Sequence, residues 1–176
     1  MDVKLVKPSA VYRAEYLDMY FEWKATDEPF TPFTIGEDPS DFETLLKKLD
    51  GYTRGEGIWE NFVPHTTYWL VRGDGRVIGG VNIRHYLNDR LRFDGGHIGY
   101  GVRPSERGKG YCKEMLRQAL AIARGMGISR TLLMCAKENV ASARVMIANG
   151  AVLDSEDVTK EGEVFQRYSI ELGEKK

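Results

Sequence analysis

His97-Ile98-Gly99-Tyr100-Gly101-Val102-Arg103-Pro104-Ser105-Glu106-Arg107-Gly108-Lys109-Gly110-Tyr111-Cys112 decides how this chain is read. The first six residues have the character of a strand, and Arg107 to Cys112 lead directly into a helix. The first backbone N–H groups of a helix lack carbonyl partners and sit at the positive end of the peptide dipoles. A glycine-rich entry therefore lets a phosphate approach and satisfy them. Arg107 and Lys109 add full charges where the backbone supplies partial ones, so the segment reads as an anion cradle.

Periodicity extends the reading in both directions. From about Gly108 to Arg124, Met115, Leu116, Ala119, Leu120, Ile122 and Ala123 lie opposite Lys113, Glu114, Arg117 and Gln118, which predicts an amphipathic helix ended by Gly125. Upstream, Thr66 to Arg72, the turn Gly73-Asp74-Gly75, Arg76 to Leu87, a polar loop from Asn88 to Gly96, and His97 to Val102 predict an antiparallel meander. Val3 to Val6 reads as a strand and Ser9 to about Ala25 as a helix. Ser40 is expected to cap a second helix that runs through Leu49 and ends at Asp50-Gly51. That leaves Thr26 to Pro39 and Gly51 to Pro64 as long loops, uncommon in compact domains unless they bind something or move. Downstream come a strand from Ile128 to Cys135, a helix from Val140 to Ala148, and a closing hairpin of Ala151 to Val158 with Glu163 to Leu172.

A chain of 176 residues is expected to be one domain, residues 1–176, able to bury a core without staples. Cys112 and Cys135 show no CxxC spacing and read as reduced thiols of a cytoplasmic protein. No apolar run approaches the roughly 18 residues that a membrane span needs, and the first residues lack a signal core. Charge is unevenly divided. Residues 1–64 carry 7 Lys/Arg against 13 Asp/Glu and residues 65–176 carry 18 against 13, so the two parts are −6 and +5. The cradle lies in the most cationic region, with 9 basic and 3 acidic residues over 96–150. A polyanionic ligand there, and a cationic one nearer the acidic part, is the simplest electrostatic reading.

Several chemistries are excluded or weakened. A GxxxxGK[ST] phosphate loop needs a hydroxyl after its lysine, but Gly110 follows Lys109. A GxGxxG dinucleotide fingerprint fails at Lys113 and lacks a βαβ unit. His65 and His85 have no partners at metal-ligand spacing, and no serine sits in a GxSxG elbow. Trp59, Phe62, Tyr68 and Trp69 are expected to form one aromatic cluster, used mainly for core packing.

With these elements in order, the chain resembles the GNAT superfamily of acetyl-coenzyme A dependent N-acetyltransferases over nearly its whole length. The family signature at the entry of the central helix, Gln/Arg-x-x-Gly-x-Gly/Ala, is matched by Arg107-Gly108-Lys109-Gly110-Tyr111-Cys112, with Cys112 in place of the last small residue. A second family element, an Asn opening the helix after the fifth strand, is matched by Asn139, with Ser142 three positions on. The resemblance implies an α/β (α+β) fold: a mixed, largely antiparallel sheet flanked by helices and splayed between the fourth and fifth strands. It implies acetyl-coenzyme A (acetyl-CoA) as co-substrate and no metal. The acceptor would be a small-molecule or protein amine, with neither nucleic acid nor membrane as partner. It also allows a homodimer, because closing strands in this family often pair between subunits.

By the same resemblance, the backbone of Arg107, Gly108, Lys109, Gly110, Tyr111 and Cys112 would hold the diphosphate. Gly101 and Val102 would pair with the pantetheine arm, and Asn139 and Ser142 would border the thiol end. Asn139 is equally a plain helix N-cap, and Ser142 equally a residue bonding its own first turn. Attack on a thioester requires a neutral amine, yet an alkyl amine of pKa ~10.4 is almost wholly protonated at pH 7. His97 is the expected proton acceptor, since alternation puts it on one face with Gly99 and Gly101, and it is equally read as a structural histidine at a strand start. Many family members carry a tyrosine seven positions after the Asn to protonate the leaving thiolate; here Met146 stands there, so either Ser142 substitutes or the thiolate leaves without help. Loops Thr26–Pro39 and Gly51–Pro64 would border the acceptor, with Asp27, Glu28, Glu37 and Asp38 attracting its charge. The alternative is a protein that binds acetyl-CoA without turning it over, as a sensor or an interaction module.

Overall fold

The predicted meander is present in the computed structural model, which describes residues 1–173. Strands β1 (Val3–Val6), β2 (His65–Arg72), β3 (Val77–Arg84) and β4 (Ile98–Val102) form an antiparallel sheet in the order β1-β2-β3-β4. A second sheet, ordered β5-β7-β6, contains β5 (Arg130–Ala136), β6 (Val152–Val158) and β7 (Val164–Glu171). The sheets are joined where the His97 N–H donates to the Leu132 carbonyl at 2.7 Å, and side chains of both, among them Ile98, Leu133 and Tyr168, share one core. Beyond it β4 and β5 are not paired, and that gap is the splay the resemblance implied.

Register sorts the side chains by face. Trp69, Gly80 and Gly101 form one row across β2, β3 and β4, and Thr67, Asn82 and Gly99 form the next. His65 and Arg84 continue the series on the same face. Tyr68, Val81 and Tyr100 lie on the other. That second face packs against helix α4 (Tyr111–Gly125), burying Val81, Ile83, Val102, Met115, Leu116 and Ala119 in one core. The glycine-bearing face is covered by α1 (Arg13–Lys24) and α2 (Phe42–Arg54), whose Tyr16, Trp23, Phe42 and Leu45 pack on Trp69 and Val77. Two short helices complete the fold: α3 (Asp89–Phe93), capped by Asn88, and α5 (Val140–Ile147), capped by Asn139.

Arg103, at the end of β4, is fully buried and pairs with Asp18 and Glu22 of α1. An unpaired buried cation would be very unfavourable, so these carboxylates fix where α1 lies on the sheet. Glu22 also accepts from the Ser105 N–H at 2.7 Å, which anchors the approach to the cradle.

The structure corrects several boundaries. Asp41, not Ser40, caps α2 by accepting from the Thr44 N–H at 3.1 Å. Gly51 is buried within α2, which continues to Gly55, whose φ of 80° suits a glycine stop. The helix expected from Ser9 begins with a 3-10 turn at Ala10–Tyr12. The central helix begins at Tyr111 instead of about Gly108 and ends at Gly125, as its sequence indicates. The four aromatics do not form one cluster: Trp69 is core and Tyr68 faces the other way, while Trp59 and Phe62 pack with Phe33 against the buried His65.

Candidate active site

Two features define the site: the open edge of β4 and the cradle that follows it. Arg84 N–H donates to the His97 carbonyl and Arg103 N–H to the Ile78 carbonyl, so odd-numbered residues of this strand spend their backbone groups on β3. The backbone groups of Ile98, Tyr100 and Val102 therefore face β5. At the far end the Val102 carbonyl accepts from Arg107 Nε at 3.2 Å. Gly101 turns its backbone to β3; what it supplies is lack of bulk, since a Cβ there would lie 2.0 Å from the Thr31 carbonyl oxygen.

The cradle has the shape its sequence predicts. Gly108 and Gly110 take left-handed conformations, φ 75° and 83°, and α4 begins at Tyr111 with no side chain capping its first turn. The N–H groups of that turn are thus free of capping acceptors. Both cations are held by carboxylates from below and beside. Lys109 Nζ lies 2.8 Å from Glu106, a buried residue that also faces Arg72 and Arg76. Lys109 first, then Arg72 and Arg76, hold the Glu106 carboxyl below its ordinary range against the opposing effect of burial. Arg107 Nη2 lies 2.7 Å from Glu28 and its guanidinium sits over the Trp23 ring at 5.3 Å. Cys112, in the first turn of α4, is partly buried, and burial pushes its thiol up to about 11.

At the other end of the cleft, Asn139 Oδ1 accepts from the Ser142 N–H at 3.0 Å, so Asn139 acts as an N-cap. Ser142 Oγ lies 3.0 Å from the Tyr100 hydroxyl. Met146, where the resemblance would place a tyrosine, is 1% exposed and belongs to the core. Tyr100 was not expected as a functional residue. It faces α4 and α5 from β4, close enough to Cys112 and Cys135 to be influenced by both, and burial pushes its phenol upward so that it stays protonated. The available signal was the alternation that sets Tyr100 opposite Gly99 and Gly101.

His97 differs from its expected role. Its Nδ1 accepts from the Leu132 N–H at 2.9 Å, while its own N–H bonds the Leu132 carbonyl, so this residue staples the two sheets. The lone pair a base would use is occupied, and neutral imidazole then carries its proton on Nε2. Burial first, then Arg84 and Arg92, pulls its pKa down to about 4. Of the acidic residues expected to draw in an amine, Glu28 is paired with Arg107 and Glu37 with Lys48 and Tyr52. Among the described residues, no group of three His, Cys, Asp or Glu side chains could hold a metal, and no helix is long and apolar enough to cross a membrane.

A sheet that splits beside β4, and an uncapped, glycine-led helix entry at that strand's end, are the arrangement the resemblance to GNAT acetyltransferases implied. Comparison with known proteins agrees. The family model described as "Acetyltransferase (GNAT) domain" matches residues 10–152. No curated protein sequence matches. Similar solved structures include the ribosomal L7/L12 alpha-N-protein acetyltransferase RimL in complex with coenzyme A, with TM-score 0.69 and 16% identity over 97% of this chain and 94% of that one. The microcin C7 self-immunity acetyltransferase MccE, in complex with acetyl-CoA and AMP, aligns with TM-score 0.67 and 14% identity over 97% and 92%. A spermidine N-acetyltransferase SpeG mutant from Vibrio cholerae aligns with TM-score 0.65 and 15% identity over 97% and 94%. The chain belongs to the GNAT acetyltransferase family.

Proposed function

We propose that this protein transfers an acetyl group from acetyl-CoA to a primary amine by direct attack in a ternary complex. The observation that carries this reading is the continuity of the β4 edge with the cradle. Backbone groups of Tyr100 and Val102 face the gap between the sheets, and the strand ends at the left-handed glycines 108 and 110 ahead of α4. The residues present fit the co-substrate. The N–H groups at the uncapped start of α4 suit a diphosphate, and the strand edge suits the amides of a pantetheine arm.

Acetyl-CoA would supply an activated thioester carbonyl. Val102 N–H, fixed on the strand edge, would donate to the oxygen as charge develops, a kind of contact worth about 3–4 kcal/mol. The amine would approach from the glycine-bearing face, where Arg84 is a cation with no carboxylate ion pair among the described residues. A like charge and loss of water both lower an ammonium's pKa, which favours the neutral, attacking form. On the opposite face Tyr100, hydrogen-bonded to Ser142, would deliver a proton to the departing sulfur, taking the place that Met146 leaves empty. Neither cysteine has the lowered pKa of a covalent acetyl carrier, consistent with direct transfer.

The test is release of free coenzyme A thiol from acetyl-CoA with a panel of primary amines. Amine-dependent release, with mass spectrometry showing one acetyl on the amine, supports transfer. Saturable acetyl-CoA binding with no release for any amine overturns it in favour of a binding protein.

A further inference from the structure

Arg84, unlike the buried Arg103, has no carboxylate partner among the described residues. It ends β3 on the glycine-bearing face, part-buried, with its guanidinium 5.5 Å from the Phe62 centroid. Its Nη1 donates to the Gly95 and Gly96 carbonyls at 2.7 and 2.6 Å. Nε is buried without a partner, and among the described residues Nη2 has none either. Nε and Nη2 form the side of the fork that grips a carboxylate through two parallel hydrogen bonds, and here that side is bare. Burial pulls the guanidinium down to about 10, with a smaller upward pull from Asp94, which lies beyond ion-pair distance, and a further downward one from Arg90. A buried cation left uncompensated is unfavourable, and an anion on its open edge would relieve it.

Two residues earlier on β3, Asn82 has the complementary need. It is 1% exposed, its Nδ2 donates to His65 Nδ1 at 2.8 Å and to Thr67 Oγ1 at 3.2 Å, and its Oδ1 is buried without a partner. Both Nδ2 contacts run towards β2, which turns Oδ1 the other way, towards Gly99, its partner on β4. Gly99 leaves space there, because an added Cβ would meet only Pro32, at 3.5 Å, an ordinary contact. Gly80 and Gly101 in the next row are covered, by Ile35 at 2.4 Å and the Thr31 carbonyl oxygen at 2.0 Å from such a carbon. A buried acceptor without a donor is costly, and the place over Gly99 is where an N–H can be brought to it. Direction along the sheet then matters. β4 runs from His97, beside Arg84, past Gly99, beside Asn82, to Val102 and the cradle. The bare acceptor is therefore nearer the cradle, and the bare guanidinium edge stands one row, roughly 6–7 Å, further from it.

We propose that these two side chains recognise the acceptor, Arg84 receiving a carboxylate and Asn82 the nitrogen that is acetylated. The substrate class is thus an amino acid, or another primary amine with a carboxylate a few bonds away, in contrast to an aliphatic polyamine. Its amine end lies towards the thioester and its anionic end away from it. Pairing offsets much of the Arg84 charge, so loss of water becomes the main cause that lowers the ammonium's pKa. This rests on the acetyl-transfer reading but is tested separately from it.

Initial rates of thiol release compare L-amino acids with their methyl esters and with the amines formed by decarboxylation. At least one amino acid should exceed both its ester and its decarboxylated amine in kcat/KM by about tenfold or more. Arg84→Gln should remove that preference through KM for the amino acid, with KM for acetyl-CoA unmoved. Arg84→Lys, which keeps the charge but not the fork, should restore part of it. Asn82→Ala should raise KM for amino acids and plain amines alike. Binding is read without chemistry from the melting temperature of the coenzyme A complex, which amino acids should raise and the decarboxylated amines should not, the rise being absent in Arg84→Gln. Equal or better turnover of the decarboxylated amines, or a preference unaffected by Arg84→Gln, overturns the carboxylate subsite while leaving acetyl transfer intact. An Arg84-dependent rise in melting temperature with no acetylation of any amine upholds the subsite and removes the transfer reading. Circular dichroism checks that each variant is folded, and Arg84→Lys provides the second variant if Arg84→Gln is not.

Discussion

Arg107 and Glu28 form an ion pair, 2.7 Å from guanidinium to carboxylate, that joins the phosphate cradle to the loop between α1 and α2. That same loop lays the Thr31 carbonyl against Gly101 and Pro32 against Gly99. On the proposed function, a diphosphate drawing on Arg107 would compete with Glu28, which would link occupation of the cradle to the hold on the loop above β4.

Releasing that competition should favour the co-substrate. The pair is half exposed, 42% and 50%, and such pairs contribute little. Glu28→Gln should therefore tighten acetyl-CoA binding by no more than about fivefold at low salt, and by less at high salt. Calorimetry at two ionic strengths checks this; weaker binding in the variant would mean Glu28 supports the cradle instead of competing with phosphate.

Tyr100 and Ser142 are expected to act on the leaving sulfur. Tyr100→Phe keeps the ring and removes the proton, so kcat should fall about 10- to 100-fold with little change in KM for acetyl-CoA. Ser142→Ala should give a smaller loss. A Tyr100→Phe enzyme with full turnover across pH would show that the thiolate leaves without this help.

His97 is expected to govern stability more than turnover. Truncation to Ala leaves the Leu132 N–H without its imidazole acceptor, at a cost of about 1–3 kcal/mol. Turnover of the folded variant should stay within a few fold of wild type, whereas loss of a general base would lower it about 10²–10⁴-fold. Thermal melts and steady-state rates at a temperature where both proteins are folded separate the two outcomes.

The same two imidazoles predict an acid sensitivity. His65 and His97 are held at about 4 in the folded chain against an ordinary 6.5. Above pH 6.5 they are neutral whether the chain is folded or not and contribute nothing. As pH falls from 6.5 towards 4 the unfolded chain takes up protons that the folded one refuses, so stability is lost across that window. His97→Gln should show a smaller drop in melting temperature than wild type between about pH 7.5 and pH 5. An unchanged drop would exclude His97 as a contributor.

Gly101→Ala should be harmful for a steric reason, because the added carbon falls 2.0 Å from the Thr31 carbonyl oxygen and 2.8 Å from Trp23. The loop or the strand must shift, with an expected loss of about 1–3 kcal/mol. Gly108→Ala meets no neighbour within 4 Å but must hold a φ of 75°, so it should affect the cradle's conformation more than its packing. Denaturant midpoints and acetyl-CoA affinities of the two variants distinguish these effects.

Much of this was readable from the chain because local chemistry decided it. The meander, the central helix and the cradle follow from alternation, helical spacing and glycines that lead a helix without a capping side chain. Gly51 misled because a glycine inside a helix and one that ends it look alike in sequence; the stop fell at Gly55, where the backbone turns left-handed. The contacts of His97 and Tyr100 were not legible for a different reason. Their roles depend on partners far along the chain, Leu132 and Ser142, which come near only when the two sheets meet. The packing of Phe33, Trp59 and His65 was hidden for the same reason: they come from three separate segments, and only the fold divides them from Tyr68 and Trp69.

The central claim is that main-chain donors at the start of α4, reinforced by Arg107 and Lys109, hold a diphosphate. Calorimetric titration with acetyl-CoA and, separately, with S-acetylpantetheine, which lacks that group, tests it most directly. The account predicts binding of acetyl-CoA at one site, at least about a hundredfold tighter than acetylpantetheine, with the difference much reduced in Lys109→Glu. Absence of heat with acetyl-CoA, or equal affinity for the two ligands, would contradict it.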